Sequence, residues 1–155
     1  MSPKPTSNLS RWQILVLLLG LGWGFHQATY ASVPAETRVQ AVLVWGTNES
    51  QPTGKGLKEL DTKLRERLAN IFKWRNYLEV SRNNGNVTTS KPQTLKLGED
   101  CVVEVKILPE NLAEVKFISK GKTIARRHPL GKTEALVLGG DDKNNTAWFV
   151  VVSFN

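Results

Sequence analysis

The sequence predicts an α+β domain: one amphipathic helix packed on a mainly antiparallel, sandwich-like β-meander, with a signal peptide in front. Three observations lead there. A single stretch, from Leu57 to Phe72, repeats its apolar residues at three- and four-residue steps. Nearly everything after it is short β-branched and aromatic runs bounded by turn residues. The links between those runs are too short for the crossover helices that parallel strands need.

The leader comes first in the chain. Lys4 and Arg11 are the only charges in the first 31 residues, an apolar run of 12 residues follows from Ile14 to Phe25, and small side chains gather around Ala28 to Ser32. That is the three-part plan of a secretory signal peptide. As a helix the apolar run covers only ~18 Å of a hydrocarbon core roughly 30 Å thick, which is short for a permanent span. Thr29 and Ala31 place small residues at the −3 and −1 positions of a cut after Ala31, and Val33-Pro34-Ala35 offers a second site. The expected organisation is residues 1–31 as signal peptide, with an uncleaved anchor as the alternative, and residues 32–155 as a single α+β domain.

Composition narrows the setting. One Cys among 155 residues excludes an intramolecular disulfide, a multi-thiolate zinc site and an iron–sulfur cluster. Small exported domains of eukaryotes are usually Cys-rich, so the sequence points to a bacterial envelope, periplasmic or extracellular. The formal charge is +7; losing Lys4 and Arg11 with the leader leaves 19 basic against 14 acidic residues, a moderate excess of +5.

In the mature region, Val39 to Trp45 is apolar at both parities and reads as an inner strand buried on two faces. Gly46 to Gly56 is a polar loop. The helix then carries Leu57, Leu60, Leu64, Leu68, Ile71 and Phe72 on one stripe, with Glu59 and Asp61 in its first turns and Lys73 and Arg75 at its end, as the helix dipole favours. Strands are expected at Tyr77 to Ser81, Gln93 to Leu97, Val102 to Leu108, Leu112 to Ser119, Lys122 to Arg127, Glu134 to Leu138 and Ala147 to Phe154. Asn83-Asn84-Gly85, Gly98-Glu99-Asp100, Pro109-Glu110-Asn111, Lys120-Gly121 and Gly139 to Asn145 read as turns. The last strand, like the first, is apolar on both faces, so the two are expected inside the sheet and paired with each other.

Chemistry-bearing residues are few. Cys101 and His128 are the only thiol and imidazole after the leader, so a nucleophilic dyad would have to be this pair. Cys101 shares the parity of Val103, Val105 and Ile107, which makes it a small core residue. His128, between Arg127 and Pro129, suits an exposed strand end. The loop from Gly139 to Thr146 lacks the ligand spacing of a calcium loop, and Gly54-Lys55-Gly56 lacks the rest of a phosphate-binding loop, so no metal and no cofactor is expected. Phe72, Trp74 and Tyr77 are expected to form a packing corner at the helix exit.

The strongest charge signal lies between Glu114 and Glu134, where Lys116, Lys120, Lys122, Arg126, Arg127 and Lys132 occur without an intervening acid. Outside a membrane the natural partners of such a surface are an anionic envelope polymer, lipid headgroups or an acidic protein. Nucleic acid is not expected, because aromatic interleaving and a cytoplasmic address are both missing. Membrane contact would come through the leader if it stays uncleaved.

Leu64 to Val80, around Ile-Phe-Lys-Trp-Arg-Asn-Tyr-Leu-Glu-Val, and Leu138 to Val152, around Gly-Gly-Asp-Asp-Lys-Asn-Asn-Thr-Ala-Trp-Phe, resemble landmarks of small uncharacterised exported bacterial proteins. The resemblance implies export and carries no catalytic motif. The expected function is a non-catalytic accessory binding or assembly module acting through the basic strand face. The alternatives are a Cys101/His128 enzyme or thiol protein, and a single-span anchored protein with an external domain.

Overall fold

The computed structural model describes residues 36–155 apart from 51, 53, 55, 133, 143 and 144, and the backbone alone at Asp141 and Asp142; the predicted leader and its cut lie outside the described residues. The described residues form a β-rich α+β fold built from two antiparallel sheets and one helix. The strands are β1 (Thr37–Thr47), β2 (Lys58–Glu59), β3 (Asn76–Val87), β4 (Gln93–Lys96), β5 (Cys101–Leu108), β6 (Leu112–Ser119), β7 (Lys122–Pro129), β8 (Leu136–Asp142) and β9 (Thr146–Phe154), and the helix is α1 (Thr62–Ile71).

The larger sheet has the order β2-β3-β1-β9-β8 and the smaller one β4-β5-β6-β7. First and last strands are central and pair with each other, as their two-sided apolar pattern predicts. Alternation along them makes two cores. Val39 and Ala41 of β1, with Val150 and Val152 of β9, meet Val103, Val105, Val115 and Phe117 of the smaller sheet. Val42 and Val44, with Phe149 and Val151, turn the other way and lie with Leu60 and Leu68 beneath the helix. The result is three layers: helix, five-stranded sheet, four-stranded sheet.

The helix is shorter than its periodicity suggests. Asp61 is not in the first turn; it is the N-cap, and its Oδ1 accepts from the Leu64 amide at 3.0 Å. Upstream, Lys58–Glu59 pairs with Leu78–Glu79 as a short edge strand, so Glu59 lies outside the helix, and Gly56 is followed by a strand rather than by a helix start. Ile71, expected on the packed stripe, is 59% exposed. Lys73 and Arg75 fall past the helix end.

The aromatic corner forms as expected. Tyr77, 4% exposed, donates its hydroxyl to the Phe72 carbonyl at 2.8 Å and accepts from the Trp74 amide at 3.2 Å, which ties off the helix exit. Phe149 stacks obliquely on Phe72, with ring centroids 4.5 Å apart.

One expected turn is strand instead, and the turn expected from Gly139 to Asn145 is confined to its end, where Asn145 has a φ of 56°. Asn83, Asn84 and Gly85 lie in mid-β3, opposite Ala41, Gln40 and Val39. Their pairing is retained because β1 supplies a long partner strand, Asn83 Nδ2 reaches the Lys96 carbonyl at 3.0 Å, and a Cβ at Gly85 would stand 2.6 Å from Gln93. Likewise Gly139 and Gly140 belong to β8, opposite Phe149 and Trp148, where a Cβ would come within 2.7 and 2.8 Å of those rings. They are glycines because large rings lie across them. The Lys120-Gly121 turn is as expected, with φ of 48° and 76°, the two positive values of a tight hairpin.

Candidate functional site

The β6/β7 register distributes the six predicted cations. Directly opposed residues share a face, so Lys116 opposite Ala125 and Arg127 opposite Glu114 stand on the outer face of the smaller sheet. That face alternates in sign: Glu104 faces Lys116, Lys106 faces Glu114, and Lys116 Nζ lies 3.5 Å from Glu114 Oε2. Lys122 and Arg126 have the opposite parity, opposite Ser119 and Val115, on the side that faces the larger sheet. At the edge strand these side chains are still exposed. Lys120 sits at the hairpin tip and Lys132 in the loop after β7, both exposed.

The cations therefore meet along the β7 margin rather than on one broad face. From Lys122 to Arg126 the rim runs roughly 13 Å. Lys120, Lys122, Arg126 and Arg127 form no ion pair among the described residues. Arg126 Nη1 donates to the Ala125 carbonyl at 2.9 Å. Since Val115 and Arg126 form a bonded pair, as the Leu130 amide bond to Asn111 at 2.7 Å fixes two pairs further on, the Ala125 carbonyl points off the free edge. Its neighbouring guanidinium covers it, which guards the edge against strand addition.

Cys101 and His128 do not meet. Cys101 lines up with Ser119 and hence with Lys122, six positions along β7 from His128, or about 20 Å of strand. Cys101 is half-buried against the inter-sheet core, its Sγ 3.8 Å from Ser119 Oγ. His128 is not at an exposed strand end: it is 9% exposed and stacks on Phe154 at 5.7 Å, because its parity directs it between the sheets. Its Nε2 has no hydrogen-bond partner among the described residues. Among the described residues no group of three His, Cys, Asp or Glu side chains is placed to hold a metal ion.

A second polar region was not foreseen. Arg38, Gln40, Asn84, Gly85, Asn86 and Asn155 line an open cavity of about 460 Å³ on the larger sheet, beyond the end of the helix. The available signal was the run Asn83 to Asn86, which reads as a turn until β1 is known to pair with it. Beside the cavity, Arg82 donates to Glu79 at 2.6 Å, to Asp61 at 3.4 Å and to Gln40 Oε1 at 2.9 Å. A bulge makes this possible. The register shifts between Leu43 and Val44, leaving Val80 unpaired and exposed and bringing Glu79 and Arg82 to the same face. The Glu79 hydrogen bond is the main cause that holds the Arg82 guanidinium above its ordinary, already high value.

Compared with protein-family models, curated proteins and solved structures, the chain matches none.

Proposed function

We propose that this chain is an exported, non-catalytic module of a bacterial envelope that binds phosphate-bearing polymers or headgroups along the β7 rim. The observation that carries the reading is the row of Lys120, Lys122, Arg126 and Arg127, exposed, without an ion pair among the described residues and with no acid in the edge strand itself. Lys116 and Lys132 flank it. Export rests on the charge, apolar and small-residue pattern of residues 1–31, and N-terminal sequencing of the envelope-borne protein is expected to start near Ser32. A retained Met1 would favour the anchored form. No helix among the described residues is long and apolar enough to cross a membrane.

Separation of Cys101 from His128 weighs against the enzymatic alternative. The rim reading is tested by retention on anionic vesicles and, separately, on a phosphate-bearing cell-wall polymer while salt is raised. A Lys122→Glu/Arg126→Glu/Arg127→Glu variant should lose at least about tenfold in affinity, since each cation near an anionic surface contributes about 1 kcal/mol. All three positions are exposed, so folding should change little. Equal retention of parent and variant would remove the rim as the binding surface, and binding only to an acidic protein would move the partner to that class.

A further inference from the structure

Most of the exposed sheet edge is guarded against pairing with another chain. β2 is two residues long, and β4 is four residues long and ends on Lys96. β3, free past β2, is bulged at Val80 and held to β4, with Asn83 bonded to the Lys96 carbonyl. β7 carries Lys122, Arg126 and Arg127, and its Ala125 carbonyl is covered. β8 has none of these devices. It begins Leu136-Val137-Leu138-Gly139-Gly140, without Lys, Arg or Pro, pairs with β9 without a register shift, and reaches its two aspartates only at its far end.

The backbone bonds fix which groups of β8 are free. Arg38 and Asn155 exchange both of theirs, at 3.0 and 2.9 Å, so bonded β1/β9 pairs recur at every second residue, through Gln40 with Ser153, Val42 with Val151 and Val44 with Phe149. The alternate residues of β9, Trp148, Val150 and Val152, therefore bond to β8, at Gly140, Leu138 and Leu136. Between these, Val137 and Gly139 turn both N–H and C=O away from the sheet, where neither meets a partner among the described residues. Donors and acceptors at that two-residue spacing are what an added antiparallel strand needs.

Charge selects what that strand is. Ser81 and Asn83 of β3 bond to the Leu97 and Lys96 carbonyls, so β3 and the β4 end of the smaller sheet meet at one side of the sandwich, and β8 and β7 border the other. Leu136 and Leu138 of β8 pack with Ile124 of β7 in the inter-sheet core. On either side of Ile124, Lys122 and Arg126 share its inward parity, are exposed, and form no ion pair among the described residues. A strand added to β8 lies across from them at a sheet spacing of about 10 Å, which a carboxylate and a basic side chain span together. A second copy of the chain, pairing β8 with β8, would instead set two such cation pairs against each other. We infer that β8 takes an extended acidic segment of a partner protein by strand addition. Two acids four residues apart meet Lys122 and Arg126, and an apolar residue midway between them lies beside Leu138 and Ile124. Lys116, Lys120 and Arg127 stay outside this contact, so the inference does not rest on phosphate binding by the rim.

The probe is the peptide Thr-Glu-Thr-Val-Thr-Glu-Thr, titrated calorimetrically into the envelope-borne protein, with amide hydrogen exchange followed by NMR. It should bind, and it should slow exchange at Val137 and Gly139. A peptide with Lys in place of Glu should bind at least about tenfold more weakly, and so should the acidic peptide to a Lys122→Glu/Arg126→Glu variant, because like charges then meet. Methylating the Thr nitrogens removes the donors that face β8 and should abolish binding with the protein untouched. Val137→Pro costs no bond to β9 and should also abolish it, while leaving retention on vesicles and polymer within about twofold; thermal unfolding verifies that the variant is folded. No binding of the acidic peptide, equal binding of the basic one, binding that survives methylation, or no protection at Val137 and Gly139 would each overturn the assignment. So would a free chain already dimeric with those amides protected. Peptide binding without retention on vesicles or polymer would sink the rim reading alone.

Discussion

The two ends of one sheet face solve different problems with the same three strands. Under the helix, β1, β3 and β9 contribute Val42, Val44, Tyr77, Phe149 and Val151 and are dry. Past the helix they contribute Arg38, Gln40, Asn84 and Asn86 and are wet. Backbone pairing is continuous from one end to the other, from Thr47 opposite Asn76 to Thr37 opposite Val87. The sheet itself therefore does not require the amides. What differs is the layer above: side chains at the dry end hold the fold together, and those at the wet end take no part in either core cluster.

The largest effect should come from the dry end. Phe149 contacts the rings of Phe72 and Tyr77 and lies across both Gly46 and Gly139. Phe149→Ala should lower unfolding free energy by about 3–5 kcal/mol in denaturant titration, because the strands around it cannot collapse into the space left. A loss below 1 kcal/mol would mean that the helix layer is not the stabilising one.

Tyr77 gives a smaller and pH-dependent effect. Burial is the main influence on its phenol and pushes it above the usual value of 10.0, with the Trp74 amide pulling the other way. The unfolded chain loses this proton near pH 10 while the folded chain keeps it. The contribution is therefore whole below pH 10 and disappears as pH rises through the folded value. Tyr77→Phe should cost about 1 kcal/mol at neutral pH through its lost hydrogen bonds. Above pH 10 the gap between parent and variant should narrow, and parallel pH profiles would contradict this placement of the phenol.

How much of this was legible from residues alone follows from range. Hydrophobic alternation is local, so β1, β5, β6 and β9 and the central pairing of first and last strands were readable from Val39 to Trp45 and Trp148 to Val152. The extent of the β1/β3 and β8/β9 pairings was not. Asn83-Asn84-Gly85 and Gly139-Gly140 carry turn chemistry, and only their partners, β1 and the rings of Phe149 and Trp148, hold them extended. The helix start was misplaced because Leu57 and Leu60 continue its apolar step, whereas the Asp61 cap decides where it begins. Among candidate site residues, the charge run was visible in the sequence, but its distribution between Lys122 and Arg126 on one side and Lys116 and Arg127 on the other needed the β6/β7 register. The cavity needed the bulge at Val80, which no local pattern announces.

The smallest effect is the most direct test of the division between the two ends. Asn84→Thr/Asn86→Thr replaces two exposed amides by residues that suit a strand, at positions where the backbone ladder stays intact. Equilibrium denaturant unfolding of this double variant beside the parent should give an unchanged or higher midpoint, with a gain of up to about 1 kcal/mol. A loss of 1 kcal/mol or more would show that the amides hold β3 in place, and the claim that stability resides at the helix-covered end of this face would fail.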